Sequence, residues 1–103
     1  MRVSRRTVPL LPGALEYARR GVLPGGLGRN RDYLLGAGAV RLAEGLEDAH
    51  AQLLFDPQTS GGLLVSCSPD TVTEVLSIFL QQGFSHVSVI GEVLKGKPSI
   101  EVI

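Results

Sequence analysis

Two glycine-rich runs hold the residues of this 103-residue chain best suited to chemistry. The run Asp56-Pro57-Gln58-Thr59-Ser60-Gly61-Gly62 sets a carboxylate, an amide and two hydroxyls directly before two glycines. Thr59 and Ser60 can donate to phosphate oxygens. Paired glycines let a ligand approach bare backbone, and successive backbone N–H groups in such a turn can form a concave anion site. Asp56 precedes a proline, which bars it from the helical region and predicts a helix ending there. The other run, Pro24-Gly25-Gly26-Leu27-Gly28-Arg29-Asn30, places glycines before an arginine. Its guanidinium can hold a phosphate or carboxylate bidentately. A tight turn uses the same Gly, Pro, Ser and Asp with no ligand at all, so composition leaves both readings open. Neither run has the spacing of a Walker loop or of a dinucleotide fingerprint.

Other chemistries have less support. The one cysteine, Cys67, rules out an internal disulfide and a multi-cysteine metal cluster. It ends an apolar run with no basic neighbour, so a buried, unreactive thiol is expected. His50 and His86 lie too far apart in sequence for a local metal motif. His50 is expected on the exposed side of a helix, and His86 at the solvated start of a strand. No two carboxylates read as an acid/base dyad, and Ser60 has no histidine partner nearby in sequence. Arg19 and Arg20 end a helix, where the dipole favours positive charge without any partner.

The whole chain reads as one domain. Hydrophobic residues make up 44% and charged residues 19%, which excludes a disordered tail. Ten basic and ten acidic residues cancel, so net charge recommends neither nucleic acid nor an anionic membrane. The cancellation is uneven. Residues 1–41 carry eight arginines against Glu16 and Asp32, and residues 42–103 carry eight acids against Lys95 and Lys97. Two solvated faces, or a basic rim meeting an anion or acidic surface, both fit. No apolar run approaches the length of a membrane span, and no apolar segment follows Arg2, Arg5 and Arg6 to make a secretory signal. A soluble, cytoplasmic domain is the expectation.

The elements that must position the two runs follow from periodicity. Residues 2–8 read as a half-exposed strand. Leu11, Ala14, Leu15 and Ala18 form a helical stripe with Pro12 in the first turn and Gly21 as the stop. Residues 29–36 read as a short strand. Leu42, Leu46, Ala49 and Leu53 predict a helix from Val40 onward, weakened by Gly45. Residues 62–67 read as a buried strand. Ser68-Pro69-Asp70 is a helix start, with a capping hydroxyl, proline and an acid in the first turn. Val72, Val75, Leu76, Phe79 and Leu80 continue that helix to Gly83. Residues 86–94 and 99–103 are expected to pair as a hairpin around the turn at 96–99. The order is β-α-(β)-α-β-α-β-β, an α/β or α+β sandwich with helices packed on a mixed sheet.

LLFDPQTSGGLLVS at 53–66 resembles the signature near the C-terminus of selenophosphate synthetases, the selenide, water dikinases. VPLLPGALEYARRGVLPGGLGRN at 8–30 is similar to the start of the same C-terminal domain, and IGEVL at 90–94 fits its close. The resemblance spans essentially the whole chain. It implies the C-terminal-domain fold of aminoimidazole ribonucleotide synthetase-like proteins. It also implies a part in making selenophosphate from selenide, ATP and water, with AMP and orthophosphate released. ATP and Mg2+ serve the full-length family, and none is expected tightly bound to this chain. The family's catalytic cysteine or selenocysteine, lysine and magnesium-binding aspartates belong to an N-terminal domain. Neither Cys67 nor Asp56 matches them, so no catalytic residue is expected here. The chain is read as the C-terminal-type domain alone, 1–103, with the N-terminal domain as the missing partner. Gly25, Gly26, Arg29 and Asn30, with Gln58, Thr59, Ser60, Gly61 and Gly62, are the residues the resemblance turns toward the phosphate cleft. A ferredoxin-like binding module, dimerising through the Arg-rich first strand as a homodimer, is the alternative.

Overall fold

A computed structural model describes residues 1–46 and 48–103. Four short strands form one mixed sheet: β1 (Arg2–Val3), β2 (Val40–Leu42), β3 (Gly91–Glu92) and β4 (Ile100–Val102). Their spatial order is β2-β4-β1-β3. β4 runs parallel to both β1 and β2, with Val102 opposite Val3 and Leu42, and β3 lies antiparallel to β1. Val3, Val40 and Val102 are buried, which is what β-branched side chains do on the covered face of a pleated sheet.

Helices α1 (Ala14–Arg19), α2 (Leu27–Gly36), α3 (Asp48–Leu53) and α4 (Val72–Gln81) complete the α+β fold. α1 packs on α3 through the buried alanines Ala18, Ala49 and Ala51, whose small side chains allow close approach. α2 delivers Leu27 to a core that also contains Val40, Phe55 and Val102, flanked by Leu23, Leu34, Leu42, Leu46 and Leu54. Burying Leu27 or Phe55 contributes roughly 1.5–3 kcal/mol each. The core therefore lies between the sheet and the segments that carry the two glycine-rich runs.

Several expectations need correction. Residues 29–36 form α2, not a strand. Leu27 and Leu34 recur at a helical interval on one side, and that side is the one packed on the core. Residues 40–42 form a strand. The helical pattern starts only at Asp48, because Gly45 sits at φ 73° and breaks any helix through it. The last two strands do not form a hairpin, since β1 lies between β3 and β4. Residues 62–67 join no strand and stand exposed. The Ser68 hydroxyl makes no capping bond to the backbone. It pairs instead with the Thr71 hydroxyl at 3.2 Å, while Pro69–Thr71 form a 3-10 turn leading into α4.

Candidate functional site

The two glycine-rich runs meet. Phe55 leaves α3 through a tight turn in which its N–H reaches the Gln52 carbonyl and the Asp56 N–H the Leu53 carbonyl. Its own carbonyl points onward, and Pro57 has no N–H to offer any acceptor. Asn30, one turn into α2, donates its Nδ2 N–H to that carbonyl at 3.0 Å. Four residues earlier, Gly26 lies against Pro57. A Cβ placed on Gly26 would stand 3.3 Å from the proline Cγ. Gly26 is in the ordinary right-handed region, φ −77°, so the close approach, not the backbone angle, explains the missing side chain.

Beyond Pro57 the loop is shaped by its own residues. The Gln58 amide donates to the Asp56 carboxylate. Gln58 then fills the space where a Gly61 side chain would go, at 2.9 Å from its Cβ. Between them Ser60 takes φ 53°, the one positive φ outside glycine among the described residues. That angle costs a non-glycine residue on the order of 1 kcal/mol or more. A left-handed residue inside a turn is half of the dihedral pair that directs consecutive N–H groups to one side. Among the described residues, no backbone N–H of Thr59–Gly62 donates to another backbone carbonyl.

Gly25, Arg29, Asn30, Gln58, Thr59, Ser60, Gly61 and Gly62 are all exposed, and Gly26 is half-buried. The edge thus offers hydroxyls, amide N–H groups and a guanidinium to solvent. Beside it lies an open cleft of ≈ 320 Å³ lined by Asn30, Tyr33, Leu34, Leu54, Phe55 and Asp56. Asp56 is engaged by Gln58 and forms no metal cluster. Among the described residues no three His, Cys, Asp or Glu side chains come together to hold a metal ion. Sequence patterns gave no signal for the Asn30–Phe55 link or the Gln58–Gly61 packing, since both depend on which segments the core brings side by side.

Cys67 is exposed, against expectation, because the run that carries it is not a core strand. His50 is half-buried, not on an open face. Other large apolar side chains are exposed besides those of the 62–67 run. Leu63 is 84% exposed and Leu64 68%, and Ile78, Leu80, Phe84 and Val93 are exposed as well. The chain shows 7743 Å² of surface, against about 5,600 Å² for a compact monomer of its mass. Its radius of gyration of 14.7 Å likewise exceeds the ~13 Å of a compact chain this long. The excess, about 2,000 Å² on this chain alone, is well above the roughly 800 Å² that each partner contributes to a standard-size interface. No helix among the described residues is long and apolar enough to cross a membrane.

Residues 13–103 match the family described as AIR synthase related protein, C-terminal domain. The chain is similar to the selenide, water dikinase of Dechloromonas aromatica (strain RCB), 56% identical over 101 residues, covering 98% of this chain and 28% of that protein. It is also similar to the selenide, water dikinase of Pseudomonas straminea, 44% identical over 101 residues with the same coverage. That of Caldanaerobacter subterraneus subsp. tengcongensis is 45% identical over 72 residues, 70% of this chain and 20% of that protein. The chain spans just over a quarter of the length of the first two.

Proposed function

The chain belongs to the AIR synthase related family, matching its C-terminal domain, and on that basis we propose that it works as the C-terminal domain of a selenide, water dikinase. In this reading residues 1–103 act as one domain. The rest of a longer enzyme supplies the catalytic nucleophile and the magnesium ligands. The reaction converts selenide, ATP and water to selenophosphate, AMP and orthophosphate.

The observation that carries the reading is the meeting of the runs at 24–30 and 56–62. One hydrogen bond, Asn30 to Phe55, and one close packing contact, Gly26 on Pro57, bring them to the same exposed edge. Phosphoryl transfer depends mostly on positioning and on donors aimed at phosphate oxygens. This edge contributes Arg29, the Thr59 and Ser60 hydroxyls, and the N–H groups of the 59–62 loop. A single guanidinium and neutral donors cannot hold a triphosphate and its metal by themselves, so the isolated domain is inactive. The exposed apolar side chains of Leu63, Leu64, Ile78 and Phe84 fit burial against the remainder of the enzyme.

Titration of the 15N-labelled chain with inorganic phosphate tests the reading. The amides of Gly25–Asn30 and Thr59–Gly62 should shift together along one saturation curve. The same chain with ATP, magnesium and selenide should release no AMP. Separate curves for the two runs, or AMP release by the chain alone, would contradict it.

A further inference from the structure

We infer that Asn30 is the positioning residue of the phosphate-facing loop: it acts through Phe55 and is not itself an anion ligand. The inference rests on the reading of that loop given above. Phe55 is buried, 4% exposed, and is the last core side chain before the loop. Its carbonyl emerges where the helical ladder has ended and where Pro57 removes the next local donor. Asn30 supplies that donor from a different helix, across 25 residues of chain. Two residues on, the Gly26–Pro57 contact holds the loop from the N-cap of the same helix. The chain on either side of Asp56 is thus fixed, Phe55 by a polar tie to α2 and Pro57 by a steric stop at its N-cap. Past Pro57, Gln58 bonds back to Asp56 and packs against Gly61, both within the loop. Without the Asn30 tie the loop keeps its internal shape but loses its placement against α2. Arg29 is the charged group of that run.

The test uses the 15N-labelled 103-residue chain, with inorganic phosphate as the probe. Asn30→Asp keeps the side chain's size and removes the donor at pH 7. Asn30→Leu removes it at every pH. At about pH 3 most of the introduced carboxyl carries an O–H able to donate to Phe55. Tyr33 from α2 and Asp56 from the loop line the same cleft, and Arg29 and Arg31 flank position 30 on α2. These groups are common to the unaltered chain, so their own titration cancels in the difference. In Asn30→Asp at pH 7 the Thr59–Gly62 amides should move away from their original positions while Val3 and Val102 stay. Phosphate affinity should fall by about tenfold, the loss expected for one hydrogen bond. The loop amides should return at the lower pH in Asn30→Asp and remain displaced in Asn30→Leu. Loop amides that hold their positions in both variants overturn the inference, as does a displaced loop with unchanged phosphate affinity. Phosphate silence in the unaltered chain overturns the anion-facing reading instead, and the ligand-free shifts then decide the role of Asn30 alone.

Discussion

Pro57 packs on Gly26 so closely that a Cβ on the glycine would stand 3.3 Å from the proline ring. Gly26 belongs to one glycine-rich run and Pro57 to the other, and their contact joins the two. Gly26→Ala asks the proline to yield a few tenths of an ångström. Gly26 is the N-cap of α2, where alanine is a poorer residue than glycine, so the variant should lose about 0.5–1 kcal/mol. Gly26→Val has no such latitude and should cost about 1–3 kcal/mol by overpacking. Urea unfolding of the two variants checks the contrast, and equal stability of both would show that the contact is slack.

Gly91 makes a stricter demand. A Cβ there would lie 2.0 Å from the Arg2 carbonyl oxygen, which is backbone and cannot step aside. Gly91→Ala should separate β3 from β1 and lower stability by about 3 kcal/mol. Amide exchange should quicken at Ser4, whose N–H reaches the Ile90 carbonyl at 2.8 Å, while the Ala43 N–H bound to Val102 stays protected. Unchanged exchange at Ser4 would rule out the proposed strain.

Arg2 reaches Glu101 at 3.1 Å and Glu92 at 3.5 Å, linking three strands of the sheet. All three side chains are more than two-fifths exposed. Solvent screening therefore limits the effect. Arg2→Met should lower stability by less than about 1 kcal/mol and abolish most of its dependence on salt. A loss of several kcal/mol would mean that the sheet depends on charge more than on Val3 and Val102.

The Asp70 carboxyl is held below the usual carboxylate range, first by the Ser68 side chain and then by its own backbone N–H. A depressed carboxyl stabilises the fold above its unfolded pKa, near 3.9, and that contribution disappears as pH falls through the lower folded value. Ser68→Ala should raise the Asp70 pKa toward the ordinary value, read by carbon-13 titration of the carboxyl. No upward movement would remove Ser68 as the cause.

How much of this was legible beforehand depends on the range of the forces involved. The helix at α4 was readable because proline, an acid and a stripe of apolar residues all act within a few positions. Gly21 and Gly83, both at positive φ, were readable as stops for the same reason. The segment 29–36 misled because a short apolar run fits either period, and only the core's demand for Leu27 and Leu34 on one side settles it. The run at 62–67 misled because apolar content measures what a segment would bury, not what is present to bury it. Cys67 followed that error to the surface. The two glycine-rich runs stood out at once, but their meeting through Asn30 and Phe55 is a long-range contact that no local pattern encodes.

The most direct measurement replaces the matched 101 residues of the Dechloromonas aromatica selenide, water dikinase with this chain and follows selenide-dependent AMP release. The chimera should turn over within about tenfold of the unaltered enzyme, and Arg29→Ala within it should cut kcat/KM by a further factor of about ten or more. A chimera that folds and binds ATP yet releases no AMP, or one indifferent to Arg29→Ala, would contradict the account.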